Sequence, residues 1–290
     1  MNTQLLFIQA LSPIHAGTGQ GVGVIDNPIA REKSTDIPFL PGSTLKGVFR
    51  DAFTPDPDTK ESKALRESVF GSDINSTDLS QGAATFTDAR LLLLPVRSLR
   101  GVFAWVTSPL LLKRLLRDAG IINKTASFNN LDEDHCLISS NTALKLNDGK
   151  VILEDVDLAS NPSTTEVDEW ADWLAKALYP DSKDKDWHET LKERLCIISD
   201  DNLSFLLETA TEITARIRLE EKSKTVVDGA LWYEEALPVE TVLVSMVIEK
   251  NKGTVFGKLE NLLLEHKTLQ LGGNATVGRG LCKATLRVTP

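Results

Sequence analysis

Cysteine is scarce in this 290-residue chain, which contains only Cys136, Cys196 and Cys282. An odd number of widely spaced cysteines gives neither a disulfide framework nor a zinc-ligand pattern, and it indicates a reducing cytoplasm. No uninterrupted apolar run reaches about 18 residues, so we expect no transmembrane helix. The N-terminus lacks the basic start and cleavage site of a signal peptide. These absences predict a soluble cytoplasmic protein.

The short motifs of common enzymes are also missing. Neither Gly-x-Ser-x-Gly, His-Glu-x-x-His nor Cys-x-x-Cys occurs. The glycine loop LGGNATVGRG, residues 271–280, leads into a strand, whereas a dinucleotide-binding fingerprint opens a helix. It also lacks the Gly-Lys-Ser/Thr ending of a Walker loop. The loop therefore has two open interpretations, a backbone that approaches phosphates closely or a structural turn.

The net charge of −9 comes from one segment of the chain. Residues 154–201 contain 14 acidic and 5 basic residues, and the remainder carries 27 of each sign. An acidic block is therefore added to a neutral body whose basic residues can cluster. The overall charge does not exclude RNA as a partner.

The early part of the chain combines a strand, a long loop and a helix. Residues 3–14 have the β-forming composition of a strand, and the connection 15–42 is rich in glycine and proline. The helix is predicted from about Thr44, with Ser43 as its N-cap. Its polar face carries Lys46 and Arg50, four residues apart. This helix start is typical of an anion site, or of a surface helix with solvated charges.

Two polar residues in the loop are candidates for chemistry. Asp26 precedes Asn27-Pro28, and the residue before a proline is held extended, so Asn27 fixes how the carboxylate is presented. The alternative is an Asx-turn in which Asp26 caps local amides. His15 follows the first strand and is either structural or catalytic.

The rest of the chain alternates between strand and helix patterns. We predict a strand over 85–96, a helix over 108–120 ending at Gly120, and helical structure over 166–195. Residues 211–220 alternate, with Arg216 and Arg218 on one side, and an extended hairpin follows to about residue 240. The predicted fold class is α+β.

Four segments, taken in order, resemble the RAMP superfamily of CRISPR-associated proteins. They are IHAGTGQGVGVIDNPIAREKSTDIPFLPGSTLKG, LLLLPVRSLRGVFAWVTSP, GALWYEEALPVET and LGGNATVGRG. Within that superfamily the chain is similar to the repeated backbone subunits of the type III-B (Cmr) effector complex. The resemblance runs nearly end to end and is weakest across residues 154–201.

The resemblance implies a fold and partners. It implies a single domain over residues 1–290, with a ferredoxin-like palm of the RNA-recognition type, a flexible loop over 15–42, a helical acidic insertion over about 154–201 and a β-hairpin thumb over about 211–240. Copies would stack with other Cmr-type subunits along a guide RNA and pair it with target RNA. The residues then expected to bind RNA are Ser43, Lys46, Arg50, Arg216, Arg218, Gly272, Gly273, Gly278, Arg279 and Gly280.

The resemblance also implies an activity, endonucleolytic cutting of target RNA at regular intervals. The RNA 2′-hydroxyl would attack the adjacent phosphate, with a divalent metal such as Mg²⁺ or Mn²⁺ required. Asp26 is the implied cutting residue, which would hold the metal or accept the 2′-hydroxyl proton. His15 and Glu234 are secondary catalytic candidates. The alternative is a catalytically inactive RNA-binding scaffold of the same complex.

Overall fold

The computed structural model of the chain describes residues 2–19, 25–53, 59–72, 79–122, 124–128, 131–161, 165–250, 253 and 255–288. Within these ranges the structure has fourteen strands and seven α-helices. In chain order they are β1 (Asn2–Ala10), β2 (Phe39–Leu40), α1 (Gly42–Ala52), α2 (Lys60–Phe70), β3 (Ala84–Phe86), β4 (Ala89–Arg97), β5 (Phe103–Thr107), α3 (Pro109–Ala119), β6 (His135–Ile138), β7 (Lys150–Leu153), β8 (Val156–Asn161), α4 (Thr165–Leu178), α5 (Lys185–Arg194), β9 (Leu195–Ile198), α6 (Asp200–Thr209), β10 (Glu212–Leu219), β11 (Val226–Ala236), β12 (Val242–Glu249), α7 (Phe256–Glu265), β13 (Leu269–Gln270) and β14 (Leu281–Val288).

Four antiparallel strands form the centre of one large sheet, in the order β14-β1-β12-β4. Helix α1 lies in the chain between β1 and β4, and α7 lies between β12 and β14. Strand β1 is apolar over Leu5–Ile8 and fully buried there, because helices cover both faces of the sheet. Strand β1 is thus an inner strand, paired along both edges and covered on both faces.

The segment between β4 and β12 extends the same sheet. Strand β5 pairs with β4, and β9, β6, β8 and β7 follow outward. Helices α3, α4 and α5 pack one face into a core that includes Trp105 and Trp170. The other face has a separate core around Phe49 and Phe70, from α1 and α2. Among the helices of the described ranges, none has the length and hydropathy needed to cross a membrane.

The acidic block is only partly helical. Helices α4 and α5 confirm the predicted helical structure over most of 166–195, and Trp170 and Leu174 are buried on it. The block also contains strands β8 and β9 at its two ends. Short apolar runs such as Leu195–Ile198 have no periodicity that separates helix from strand.

Helix α1 begins earlier than predicted and has a different cap. It starts at Gly42, its N-cap residue is Pro41, and no side chain of that residue caps it. The Gly42 amide instead donates to Asp88 Oδ1 at 2.8 Å. The predicted N-cap role of Ser43 is therefore wrong, because the acceptor comes from a distant strand end. The same Thr87-Asp88 step divides the predicted strand 85–96 into β3 and β4.

Candidate functional site

The loop that carries Asp26 is attached to the hairpin formed by β10 and β11. Asn27 pairs with Glu234 of β11 in a parallel bridge. The Asn27 amide donates to Tyr233 O at 3.0 Å, and the Glu235 amide donates to Asn27 O at 3.0 Å. The loop is therefore hydrogen-bonded to the free edge of β11 at this bridge, and residues 20–24 of this loop lie outside the described ranges.

Asp26 is exposed, and one of its oxygens is bound. The Tyr233 amide donates to Asp26 Oδ2 at 2.8 Å, across 207 residues of sequence. Among the described residues the carboxylate has no other hydrogen bond or ion pair, and the residue is exposed. The local Asx-turn interpretation is wrong, since the amide that Asp26 accepts from belongs to the hairpin. The arrangement holds an exposed carboxylate at the hairpin's base.

His15 lies half-buried between this loop and the glycine loop. Its Nδ1 is 2.7 Å from Glu235 O, and a carbonyl only accepts, so Nδ1 carries the proton. The neutral ring then has its lone pair on Nε2. His15 lines a cavity of about 220 Å³ together with Pro41, Thr44 and Gly273. This cavity lies between the start of α1 and the glycine loop, two segments predicted to bind RNA.

The glycine loop owes part of its composition to its own packing. A Cβ on Gly272 would lie 2.5 Å from His15 O, and one on Gly280 would lie 2.1 Å from Leu271 O. Both glycines also have positive φ, 88° and 77°. These two glycines are therefore required for the loop to close on the chain. Gly273 faces the His15 ring, and a Cβ on Gly278 would meet open space.

Glu234 is buried and its carboxylate is saturated with donors. Trp232 Nε1 donates to Oε1 at 2.9 Å, while Arg216 Nε at 3.2 Å and Asn274 Nδ2 at 3.1 Å donate to Oε2. Burial raises the pKa of Glu234, but the hydrogen bonds from Trp232 and Arg216 and the charges of Arg216 and Arg279 hold the pKa below its ordinary value. The group is an ionised anchor between the hairpin and the glycine loop.

The three arginines predicted to bind RNA near the hairpin differ in exposure. Arg216 is half-buried against Glu234. Arg279 is buried, and its Nη2 donates to Thr214 Oγ1 at 3.0 Å. Arg218 is exposed on the outer part of β10 and has no ion pair with any residue that the structure describes. Of these three arginines, Arg218 is the one in the exposed class.

Helix α1 presents the other predicted RNA-binding residues. Lys46 and Arg50 are both half-buried, and Ser43 is exposed. Lys46 makes no ion pair or hydrogen bond within the described ranges. The α1 side chains that line the cavity beside the glycine loop are Thr44 and Val48, whereas Lys46 and Arg50 lie on the other flank of the helix.

Two residues of the site were missed at the level of sequence. The Arg31 guanidinium pairs with the buried Glu235 carboxylate at 2.5 Å, beside the Asp26 loop. Alternation along β11 predicts that Glu234 and Glu235 point to opposite faces. No local pattern, however, indicates that Arg31 is the partner.

The side chains around Asp26 do not by themselves form a complete metal site. Over the described part of the chain, no group of three or more His, Cys, Asp and Glu side chains is placed to hold a metal. Asp26 offers one open oxygen, and Glu234 and Glu235 are occupied. This set fits an ion shared with RNA, because Mg²⁺ is commonly held by one or two carboxylates plus phosphate oxygens and water.

The sequence model of the RAMP superfamily matches residues 7–283, and the chain belongs to this superfamily, as the sequence motifs predicted. The chain is 35% identical to the CRISPR system Cmr endoribonuclease Cmr4 of Pyrococcus furiosus, over 99% of this chain and 96% of the relative. It is 28% identical to the CRISPR system CMR subunit Cmr4 of Saccharolobus solfataricus, over 95% and 93%.

Solved structures give the same result. The crystal structure of oligomeric Cmr4 from Pyrococcus furiosus matches with a TM-score of 0.74 and 29% identity, over 100% of both chains. A chain in the type III-B Cmr-beta complex bound to cognate target RNA matches with a TM-score of 0.70 over 99% of this chain and 97% of that one. At 20% identity the second match shows the fold alone.

Proposed function

We propose that this chain is a backbone subunit of a type III-B CRISPR effector complex, which binds guide RNA in a filament of copies and cuts complementary target RNA at regular intervals. The observation that carries the cutting activity is the exposed Asp26 carboxylate held by the Tyr233 amide. The name of the Pyrococcus relative, an endoribonuclease, supports the same activity. The oligomeric Cmr4 crystal structure supports assembly with further copies.

The fold supports a ferredoxin-like palm with a thumb. The four central strands, taken in chain order as β1, β4, β12 and β14, lie in the spatial order fourth, first, third, second, with α1 and α7 in the two crossovers. The hairpin of β10 and β11 is a separate two-stranded sheet. Its apolar side chains Ile217, Leu231 and Tyr233 are exposed. An exposed apolar face on a projecting hairpin suits insertion between bases of a duplex.

Guide binding is assigned to the surface around α1. Lys46 and Arg50 supply positive charge, Ser43 supplies a hydroxyl, and the glycine loop Gly272–Gly280 lies against the start of the helix at Pro41 and Thr44. Base pairing with the guide selects the target, so contacts to phosphate and sugar suffice for this surface. The affinity is then expected to depend strongly on salt.

The proposed reaction is an internal transesterification of target RNA. The 2′-oxygen bonds to phosphorus while the bond to the 5′-oxygen breaks, and the leaving 5′-oxygen takes a proton from water, which leaves a 2′,3′-cyclic phosphate and a 5′-hydroxyl. The hairpin displaces a nucleotide and so brings the 2′-oxygen towards in-line geometry, and positioning of this kind supplies much of the rate. Asp26 accepts the 2′-hydroxyl proton through Oδ1 or holds a divalent ion there. His15, with its open Nε2, is the second candidate for proton transfer.

A divalent ion such as Mg²⁺ or Mn²⁺, when bound between Asp26 and the RNA, would neutralise negative charge on the phosphate. Asp26 alone holds it on the protein side in this proposal. Glu234 stays an anchor of the hairpin.

The test uses the assembled complex with guide RNA, complementary labelled RNA and Mg²⁺ or Mn²⁺. Asp26→Ala is compared with wild type and with Asp51→Ala, which removes an exposed aspartate on α1. We expect an evenly spaced ladder of products from wild type and Asp51→Ala, and none from Asp26→Ala, with target binding equal in all three. A ladder that persists in Asp26→Ala places the cutting group elsewhere. If the wild-type complex binds target RNA without cutting it, the chain is an inactive RNA-binding scaffold.

A further inference from the structure

We propose that the buried ion pair of Arg31 and Glu235 is a positioning device for Asp26. The inference rests on the proposed cutting role of Asp26. The exposed fractions of the two side chains are 16% for Arg31 and 4% for Glu235. The pair therefore acts on the reaction through the loop that it holds.

Glu235 holds the Asp26 loop through hydrogen bonds of both its backbone and its side chain. Its amide donates to Asn27 O at 3.0 Å, and its carbonyl accepts from His15 Nδ1 at 2.7 Å. Its carboxylate accepts from the Ile29 amide at 3.0 Å through Oε2 and from Arg31 at 2.5 Å through Oε1. A single residue thus orders the segment that follows Asp26 and also the histidine.

Arg31 extends this attachment to the body of the fold. Its Nη2 also donates to Leu207 O of α6 at 2.9 Å, and its Nη1 donates to Asp36 O at 3.0 Å. The guanidinium therefore connects three segments: the hairpin, α6 and the loop that leads to β2. Its planar array of donors allows this, whereas a lysine ammonium would reach fewer of these acceptors.

The adjacent Glu234 has a different role from Glu235. Glu234 points to the other face of β11 and bonds Arg216 and Asn274, so it ties the hairpin to the glycine loop. Glu235 ties the hairpin to the Asp26 loop. The Glu-Glu step in YEEA therefore joins one hairpin to two different loops.

Loss of one partner should displace Asp26 without removing the guide surface on α1. A buried charge without its partner is unfavourable, so the loop is expected to move towards solvent. A displacement of about 1 Å in a reacting group costs up to about 100-fold in rate. Lys46 and Arg50 lie on another element, so guide binding and target pairing should persist.

The experiment compares Arg31→Met, Arg31→Lys and Glu235→Gln in the full complex with guide RNA. Asp172→Asn is the matched control, because it breaks the ion pair of Lys192 and Asp172, 2.6 Å long, between α4 and α5. Three quantities are measured: the single-turnover cutting rate at saturating target, the Kd for target, and amide hydrogen exchange of the peptide covering residues 25–31.

We expect Arg31→Met and Glu235→Gln to lower the cutting rate about 10- to 100-fold, with Kd unchanged. Exchange over residues 25–31 should accelerate in both variants, and Arg31→Lys should recover much of the rate. Asp172→Asn should match wild type. Unchanged exchange and unchanged rate in both variants would overturn the proposal, and so would a loss of target binding in proportion to the loss of rate.

Hydrogen exchange separates this proposal from the proposed function. If Asp26→Ala still cuts RNA, the role of Asp26 is wrong. Faster exchange in Arg31→Met would then still establish that the pair holds the loop, and unchanged exchange would refute that as well.

Discussion

Asp88 accepts a hydrogen bond from the Gly42 amide at 2.8 Å, and so an acidic side chain already occupies the first amide of helix α1. A helix N-terminus attracts anions through its free amides. In α1 the Asp88 carboxylate occupies one of these amides, so fewer are free to bind an external anion. The attraction of α1 for guide phosphates therefore depends on its lysine and arginine more than on the helix start.

Lys46→Ala is expected to weaken guide binding in a salt-dependent way. Removal of one contact to a single-strand phosphate should reduce the slope of log affinity against log salt by about 0.7. Titration of guide RNA at several salt concentrations measures this slope. Lys113→Ala, which removes an exposed lysine on α3, is the control and should leave the slope unchanged. An equal loss in both variants would contradict a specific role for Lys46.

The arginines of β10 should separate into one that binds RNA and one that stabilises the hairpin. Arg218→Ala should weaken RNA binding while the melting temperature stays constant, because Arg218 is exposed. Arg216→Ala should lower the free energy of unfolding by about 1–3 kcal/mol, since it leaves the buried Glu234 with one donor fewer. Thermal melting and RNA titration of both variants test the separation, which a reversed pattern would refute.

The contribution of Glu240 to the free energy of unfolding depends on pH. Burial raises the pKa of Glu240, and the hydrogen bond from Gln9 opposes the shift only in part. An acid whose pKa is raised in the folded state contributes stability at pH values below its unfolded pKa, and loses that contribution as pH rises through the folded pKa. At neutral pH the ionised group therefore destabilises the fold.

Glu240→Gln should accordingly raise the melting temperature at neutral pH. Because Glu240 is partly exposed, solvent screening limits the gain to about 1 kcal/mol or less, which corresponds to about 2–4 °C. The gain should vanish when the pH falls to about 4, near the ordinary pKa of glutamate. Melting curves across this range test it, with the exposed Glu265→Gln as a control that shows no such trend. A gain that persists at low pH would point to another cause.

Val102 is strained in the turn between β4 and β5. Its φ is 74°, a left-handed conformation that a β-branched residue rarely adopts, and its side chain is 78% exposed. Val102→Gly should raise the free energy of unfolding by about 1 kcal/mol. Urea denaturation measures the change. Val226→Gly, at an exposed position in β11, should be destabilising, and equal effects at both sites would refute the strain.

Local patterns in the sequence predict the elements better than their arrangement. Helix α3 was predicted within one residue, and Gly120 terminates it in the left-handed conformation. The alternation over 211–220 correctly indicated the first strand of the hairpin. Periodicity carries no information about which element pairs with which, so the position of β9 beside β5 was not predicted.

The candidate site shows the same limit. Asp26 was singled out from its turn-forming neighbours, but the amide that holds it lies 207 residues away. Arg31 and Glu235 were missed because each looks like an ordinary surface charge in its own segment. Their burial is a property of the folded chain, which brings two loops and α6 to the base of one hairpin.

The pairing of β1 also determines when the sheet can form during synthesis of this protein. Strand β1 is synthesised before every other described strand, whereas its neighbours β12 and β14 are synthesised after most of the sheet. At about 5–20 residues per second, the wait for β12 is on the order of 10–50 seconds. Throughout that interval the apolar strand lacks both of its partners, so both of its edges stay unpaired. The arrival of the final strand, Leu281–Val288, is the event that closes the sheet around β1.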